Sequence, residues 1–270
     1  MKTIILPTDF SACSDQAIDY AIGLFGKTAT RFYLVHVYQI PLTYPSAVIP
    51  GLEILKEKAE QDLQKKAEEL KGRLSAELIC QAYEGDVVDV IGKMAKKETE
   101  ALVVMGAHGM SPMREFLAGS HAVDCIRHLP CPVIIVPEKA QVHSPEKILF
   151  ASDAESEGGV DAPDALAAFA RHFNARLTVV HVNEKSMASV QSATHATLGK
   201  AYDGLKVEFR EAAGDDVSEA IGRVADETGA HLVAMVAHHR KLMERIFHKS
   251  VTRQVAISTH IPLISFPVAG

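Results

Sequence analysis

Three things are scarce in this sequence: cysteine, surplus positive charge and long uninterrupted apolar runs. The four cysteines, Cys13, Cys80, Cys125 and Cys131, all fall in the first half of the 270 residues, and none forms a Cys-x-x-Cys pair. A zinc ribbon or a dithiol redox motif is therefore unsupported, and buried thiols are expected. The formal net charge is -6, which argues against general nucleic-acid binding, since that wants a basic face. No run approaches the roughly 18 apolar residues of a membrane-spanning helix. The stretch Met1 to Asp9 has one positive charge and a short apolar core that Asp9 interrupts. No secretory signal is expected from it, and the cytoplasm is the expected location. Hydrophobic residues make up 47% and charged residues 23%, which suits a soluble globular protein long enough for two domains.

What is present is a unit that occurs twice. Each half opens on a short strand-like run ending in aspartate, Ile4-Ile5-Leu6-Pro7-Thr8-Asp9 and Ile148-Leu149-Phe150-Ala151-Ser152-Asp153. A helical stretch is predicted after each, over 13–26 and 159–173. Phe32 to Val37 and Leu177 to Val182 then read as buried strands, being β-branched and nearly unbroken in apolar character. Gly85-Asp86-Val87 and Gly214-Asp215-Asp216-Val217 each open a helix, with Asp86 as a helix cap. Asp15 reads as a first-turn acid near a Ser11 or Ser14 cap. Val103 to Gly109 matches Val233 to His239, and each copy closes on a proline-led strand, Pro132 to Val136 and Pro262 to Phe266. Alternating strands and helices at this spacing predict parallel sheets covered by helices on both faces. The predicted boundaries are 1–138 and 146–270, with 139–145 as a polar, proline-containing linker. The first copy carries an extra amphipathic helix, with Leu52, Leu55, Ala59, Leu63, Ala67, Leu70 and Leu74 on one stripe.

The candidate site lies in the first copy. The apolar run Ala101 to Met105 leads into Gly106-x2-Gly109-x9-Gly119-Ser120. Glycines let backbone approach phosphates closely, and a helix starting at Ser120 would present free N–H groups to an anion. The spacing is neither the Gly-x4-Gly-Lys-Ser/Thr loop of many ATPases nor a Gly-x-Gly-x-x-Gly after the first strand. In an open parallel sheet ligands collect where the strand order reverses. If the strands ending at Asp9 and Gly106 are neighbours there, aspartate and loop share one crevice.

This loop resembles the nucleotide-binding motif of the universal stress protein family, Gly-x2-Gly-x9-Gly-Ser/Thr. The opening Ile-Leu-Pro-Thr-Asp-Phe-Ser, the Val-His-Val second strand and the Leu-Pro-Cys-Pro-Val-Ile-Ile-Val ending are similar to that family too. Nearly the whole chain is covered, as two tandem domains. The resemblance implies an α/β fold in which each domain is an open five-stranded parallel sheet, ordered 3-2-1-4-5, with helices on both faces. It also implies pairing of domains through their last strands. ATP, with magnesium, is the implied ligand. By that resemblance Asp9 would contact ribose, backbone at His36, Val37 and Tyr38 would meet adenine, and Met105 and Ala107 would border the sugar or base. Gly106, Gly109, Gly119 and Ser120 would surround the triphosphate, with Arg114 inside the loop either reaching a phosphate or lying in solvent.

The second copy keeps Asp153 and His181 but has Val236, His239 and Lys249 in place of the three glycines, with Ser250 in place of Ser120. Bulky side chains there should obstruct tight wrapping, so no ATP of the family type is expected in this half. His238, His239, His248 and His260 raise a metal reading, but their spacing favours surface or core histidines. No general base is clearly positioned, so the expectation is a regulatory ATP-binding protein with at most slow hydrolysis and no catalytic or metal residues. Two alternatives stand beside it, a nucleotide-independent interaction protein and a sensor of AMP, cyclic AMP or another small ligand. Expected partners are the second domain, a second copy of the chain and a regulatory protein.

Overall fold

The computed structural model describes residues 1–40, 52–107, 120–152, 164–182, 202–212, 217–236 and 260–267. The first half runs β1 (Thr3–Pro7), α1 (Ala12–Phe25), β2 (Arg31–Tyr38), α2 (Leu52–Leu70), β3 (Glu77–Glu84), α3 (Val87–Lys97), β4 (Ala101–Gly106), α4 (Ser120–His128) and β5 (Val133–Val136). The second half repeats the plan with β6 (Lys147–Ser152), α5 (Asp164–His172), β7 (Arg176–Val182), β8 (Val207–Ala212), α6 (Val217–Thr228), β9 (Leu232–Val236) and β10 (Leu263–Phe266).

All the strands join one ten-stranded sheet in the order β3-β2-β1-β4-β5-β10-β9-β6-β7-β8. Within each half the order is the predicted 3-2-1-4-5, and every pairing is parallel. The halves meet through one antiparallel ladder, Ile135 opposite Leu263, Ile134 opposite Ile264 and Val133 opposite Ser265. Ile134 and Ile264 hold the same place in their copies. The ladder is thus symmetric about that pair, like the self-complementary contact of a two-fold dimer.

Helices cover both faces. The core on one face joins Ala17, Ile18, Ala21 and Phe25 of α1 and Leu63 and Leu70 of α2 to Leu166, Ala167, Phe169 and Ala170 of α5. The core on the other gathers Ile91 and Met94 of α3, Cys125 and Ile126 of α4 and Ile221 and Val224 of α6. Each core crosses the junction between the halves, and β4, β5, β9 and β10 are buried on both sides, reading as apolar runs broken only by Ser265 in β10. Local signals start the helices. Ser11, extended at φ -78 and ψ 160, caps α1 by accepting from the Ser14 amide, and Asp86 caps α3 by accepting from Val88 and Asp89. Both satisfy amides that have no partner inside the helix.

The segment between the halves is strapped along α1. Gln16 Nε2 donates to the Ala140 carbonyl at 2.6 Å, and Val142 lies against Gly23 where a β-carbon would stand. At its far end the Ser144 carbonyl meets His231 Nδ1 at 3.1 Å. The rings of His143 and His231 pack edge to face, 4.5 Å apart.

Candidate functional site

The strand order reverses between β1 and β4, which are parallel neighbours, with Thr3 opposite Ala101 and Ile5 opposite Val103. Asp9 and Gly106 therefore leave the sheet side by side, at the carboxyl ends where open sheets take ligands. On the other flank β1 ends at Pro7 opposite Val35, while β2 continues to Tyr38 with β3 beside it. The overhang His36-Val37-Tyr38 forms a ledge beside Asp9.

Asp9 is held by its neighbours. Its Oδ1 accepts the Ser11 amide at 3.1 Å and the Ser11 hydroxyl at 2.6 Å. The second distance is that of a short, charge-assisted hydrogen bond. Because that proton goes to Asp9, Ser11 Oγ can only accept from the Ser14 amide, 3.2 Å away. Ser14 Oγ in turn donates to the Ser11 carbonyl at 2.9 Å. Its proton is then spent, so the 3.1 Å contact with Thr8 must have Thr8 Oγ1 as donor. Thr8 Oγ1 also accepts the Phe10 amide at 3.0 Å. Phe10 sits at φ 62, a left-handed setting that a bulky residue adopts at some cost. Its ring packs 4.7 Å from that of His36. His36 Nδ1 lies 2.7 Å from the Thr8 carbonyl, which can only accept, so Nδ1 carries a proton. The imidazole thus braces the turn after β1 through Nδ1, leaving Nε2 as an acceptor beside the main chain of the ledge.

Gly106 is placed by a different constraint. A β-carbon there would come within 2.9 Å of the backbone carbon, oxygen and sulfur of Cys13, so only glycine lets the first turn of α1 close onto β4. Immediately beyond, the Ala107 amide donates to the Val136 carbonyl at 3.0 Å, and Cys13 Sγ approaches the same oxygen at 3.6 Å. The side chains of Met105 and Ala107, 7% and 2% exposed, face the core beside α3 and α4. They have only backbone to present.

Of the sequence-predicted residues, Asp9, His36, Val37, Tyr38, Met105, Gly106 and Ala107 converge at this one end of the sheet, and Ser120 opens α4. Gly109, Arg114 and Gly119 lie outside the described residues, as does His108. The sequence reading gave Thr8 no part and took Ser11 only as a helix cap. The Thr/Ser spacing at positions 8, 11 and 14 was the available signal. Asp86 spends its Oδ1 on two amides of α3, at 2.8 and 3.2 Å, as the cap reading expects.

In the second half Val236 pairs with Phe266 at the ladder position where Gly106 pairs with Val136. Valine thus stands, 2% exposed, in the place of the first loop glycine. Asp153, His239, Lys249 and Ser250 lie outside the described residues, as do His238 and His248. Among the described residues no three His, Cys, Asp or Glu side chains gather as a metal site. A separate groove of about 340 Å³ runs between α2 and the edge strand β3, lined by Glu60, Leu63, Gln64, Cys80, Gln81, Ala82 and Tyr83. It contains none of the predicted site residues. Burial pushes the thiols of Cys125 and Cys131 up to about 12, so neither is a nucleophile at neutral pH. No helix among the described residues is long and apolar enough to cross a membrane.

These features define a doubly wound α/β protein in tandem, with the strand order reversing in each half. Two stretches, 1–137 and 145–267, match the model of the universal stress protein family, and the chain belongs to that family. A universal stress protein of Methanocaldococcus jannaschii is 28% identical over 142 residues, covering 50% of this chain and 81% of its own. A second from the same organism is 26% identical over 155 residues, covering 51% and 96%. The crystal structure of a universal stress protein from Archaeoglobus fulgidus superposes over 98% of this chain and 96% of its own, with a TM-score of 0.70 and 20% identity. That likeness extends the fold to the tandem as a whole.

Proposed function

We propose that the first domain, residues 1–138, binds ATP with magnesium and that the chain is a cytoplasmic regulatory protein of the stress response. The observation that carries this reading is the meeting of Asp9 and Gly106 at the strand-order reversal, at the mouth of Gly-x2-Gly-x9-Gly-Ser. The donor set sorts the ligand's parts. A carboxylate repels phosphate and accepts from hydroxyls, so Asp9 suits the sugar. The anionic end belongs with the glycine run and the start of α4, where amides can converge. The ledge at His36, Val37 and Tyr38 would take the base against backbone. Magnesium would be held chiefly by the phosphates and water. Hydrolysis would be slow at most: Asp9 is taken up by the sugar and His36 stands on the ledge at the base end, so neither would face water beside the phosphates. The second domain, with Val236 in place of the glycine, would serve the first by pairing rather than by binding ATP.

Calorimetric titration of magnesium-ATP into nucleotide-stripped protein tests the reading, with Gly109→Arg as the loop-blocked control. Saturation near one ATP per chain, abolished by the substitution, is the expected result. Absence of binding to folded protein would leave the scaffold reading, and binding of AMP or cyclic AMP alone would identify a sensor of those ligands.

A further inference from the structure

We propose that Ser11 is a positioning residue that makes the first-domain site selective for an intact ribose over a deoxyribose. The inference rests on the nucleotide reading above and adds a sugar-discriminating device to it. A carboxylate offers four lone-pair positions on two oxygens. Two donors from one residue, the Ser11 amide at 3.1 Å and its hydroxyl at 2.6 Å, converge on Asp9 Oδ1 and fix the rotation of the group. A carboxylate pinned in this way can meet a pair of neighbouring hydroxyls without first being ordered, and preorganisation of that kind favours binding. The Ser11 hydroxyl is itself fixed: its one proton is directed at Asp9 and its lone pair takes the Ser14 amide at 3.2 Å. Ser14 is anchored by Thr8 at 3.1 Å. The order at Asp9 thus derives from β1 and α1, the elements that flank the crevice.

The test is calorimetric titration of the full chain with magnesium complexes of ATP, 2′-deoxy-ATP and 3′-deoxy-ATP, for the wild type, Ser11→Gly and Ser11→Thr. Glycine is a tolerated helix cap, costing only a few tenths of a kcal/mol, so Ser11→Gly folds and lacks only the hydroxyl. Thermal melting checks this. The expected result is that Ser11→Gly weakens ATP about tenfold, the worth of a hydrogen bond to a charged group. At least one deoxynucleotide should weaken less than about threefold, and Ser11→Thr should restore ATP affinity. Equal losses for all three ligands would reduce Ser11 to a helix cap and overturn the proposal, as would an unchanged ATP affinity. A wild type that binds ATP but ranks the deoxynucleotides equal to it would overturn this proposal alone. A wild type that binds none of the three would remove the nucleotide reading together with it.

Discussion

At position 106 any side chain must displace the backbone of Cys13, which lies 2.9 Å from where a β-carbon would stand. Gly106→Ala should accordingly destabilise the first domain by about 1–3 kcal/mol, the usual cost of forcing atoms into a close-packed site. Urea denaturation reads this without any nucleotide present. A glycine needed only for phosphate contact would leave the unliganded protein's midpoint unchanged. The glycine's importance was legible in its motif spacing. Its contact was not, because Cys13 is distant in sequence and reaches β4 only once α1 has crossed the sheet. Ser265 shows the converse. Its hydroxyl is 2% exposed and has no hydrogen-bond partner among the described residues, where the first copy has Ile135. A buried hydroxyl without a partner costs about 1–3 kcal/mol. Ser265→Val, which keeps the strand-forming shape, should raise stability by about 1 kcal/mol, and a fall on denaturation would contradict this.

Among the elements, those with a chemical start signal were readable. Gly85-Asp86-Val87 announced α3, and Asp86 does accept two of its first amides. Asp86→Ala should cost about 1 kcal/mol, and Asp86→Ser should recover most of it, both by thermal melting. Strand β3 had no comparable signal. It lies at an edge of the sheet, its interior residues are all partly exposed, and neither a buried run nor a clean alternation results. β8, at the opposite edge, does alternate, with Val207 and Phe209 half-buried and Glu208 and Arg210 exposed, and that short signal went unread. The family's five-stranded plan supplied what the residues alone did not. The extra helix shows the same limit. Ala59, Leu63 and Leu70 are buried as the stripe predicts, but Leu55 is 40% exposed and Leu74 falls beyond the helix end at Leu70. Periodicity identifies a face, and the neighbouring strands decide how much of it is covered.

At the scale of the molecule, the tandem repeat was visible in the sequence as paired motifs, while the last-strand ladder that joins its halves was expected only from the family resemblance. Pairing between β5 and β10 leaves no local pattern beyond two proline-led apolar runs. The linker shares in this joining. Burial, together with the neighbouring His231, depresses the His143 pKa, opposed by Glu146. A histidine depressed in the folded state lets the unfolded chain bind its proton first, so stability falls as pH drops below about 6.5. It is unaffected well above that value. His143→Gln should flatten this part of the stability–pH curve and His231→Gln should do so in part, since burial is the larger cause; an unchanged slope in both would show that the pair is not responsible. The ladder makes a stronger claim. Because Ile134 pairs with its own counterpart Ile264, the edge of β5 is self-complementary, and the whole chain satisfies it internally. Residues 1–137 expressed alone would expose that edge and the fully buried Ile134 and Val136. The fragment should pair β5 with β5 and sediment as a dimer, whereas Ile134→Lys in the fragment should give a monomer by placing two like charges opposite each other. A monomeric wild-type fragment would mean that the symmetry of the ladder is insufficient to drive association, and that the fused chain needs its linker contacts at Gln16 and His231 to hold the halves together.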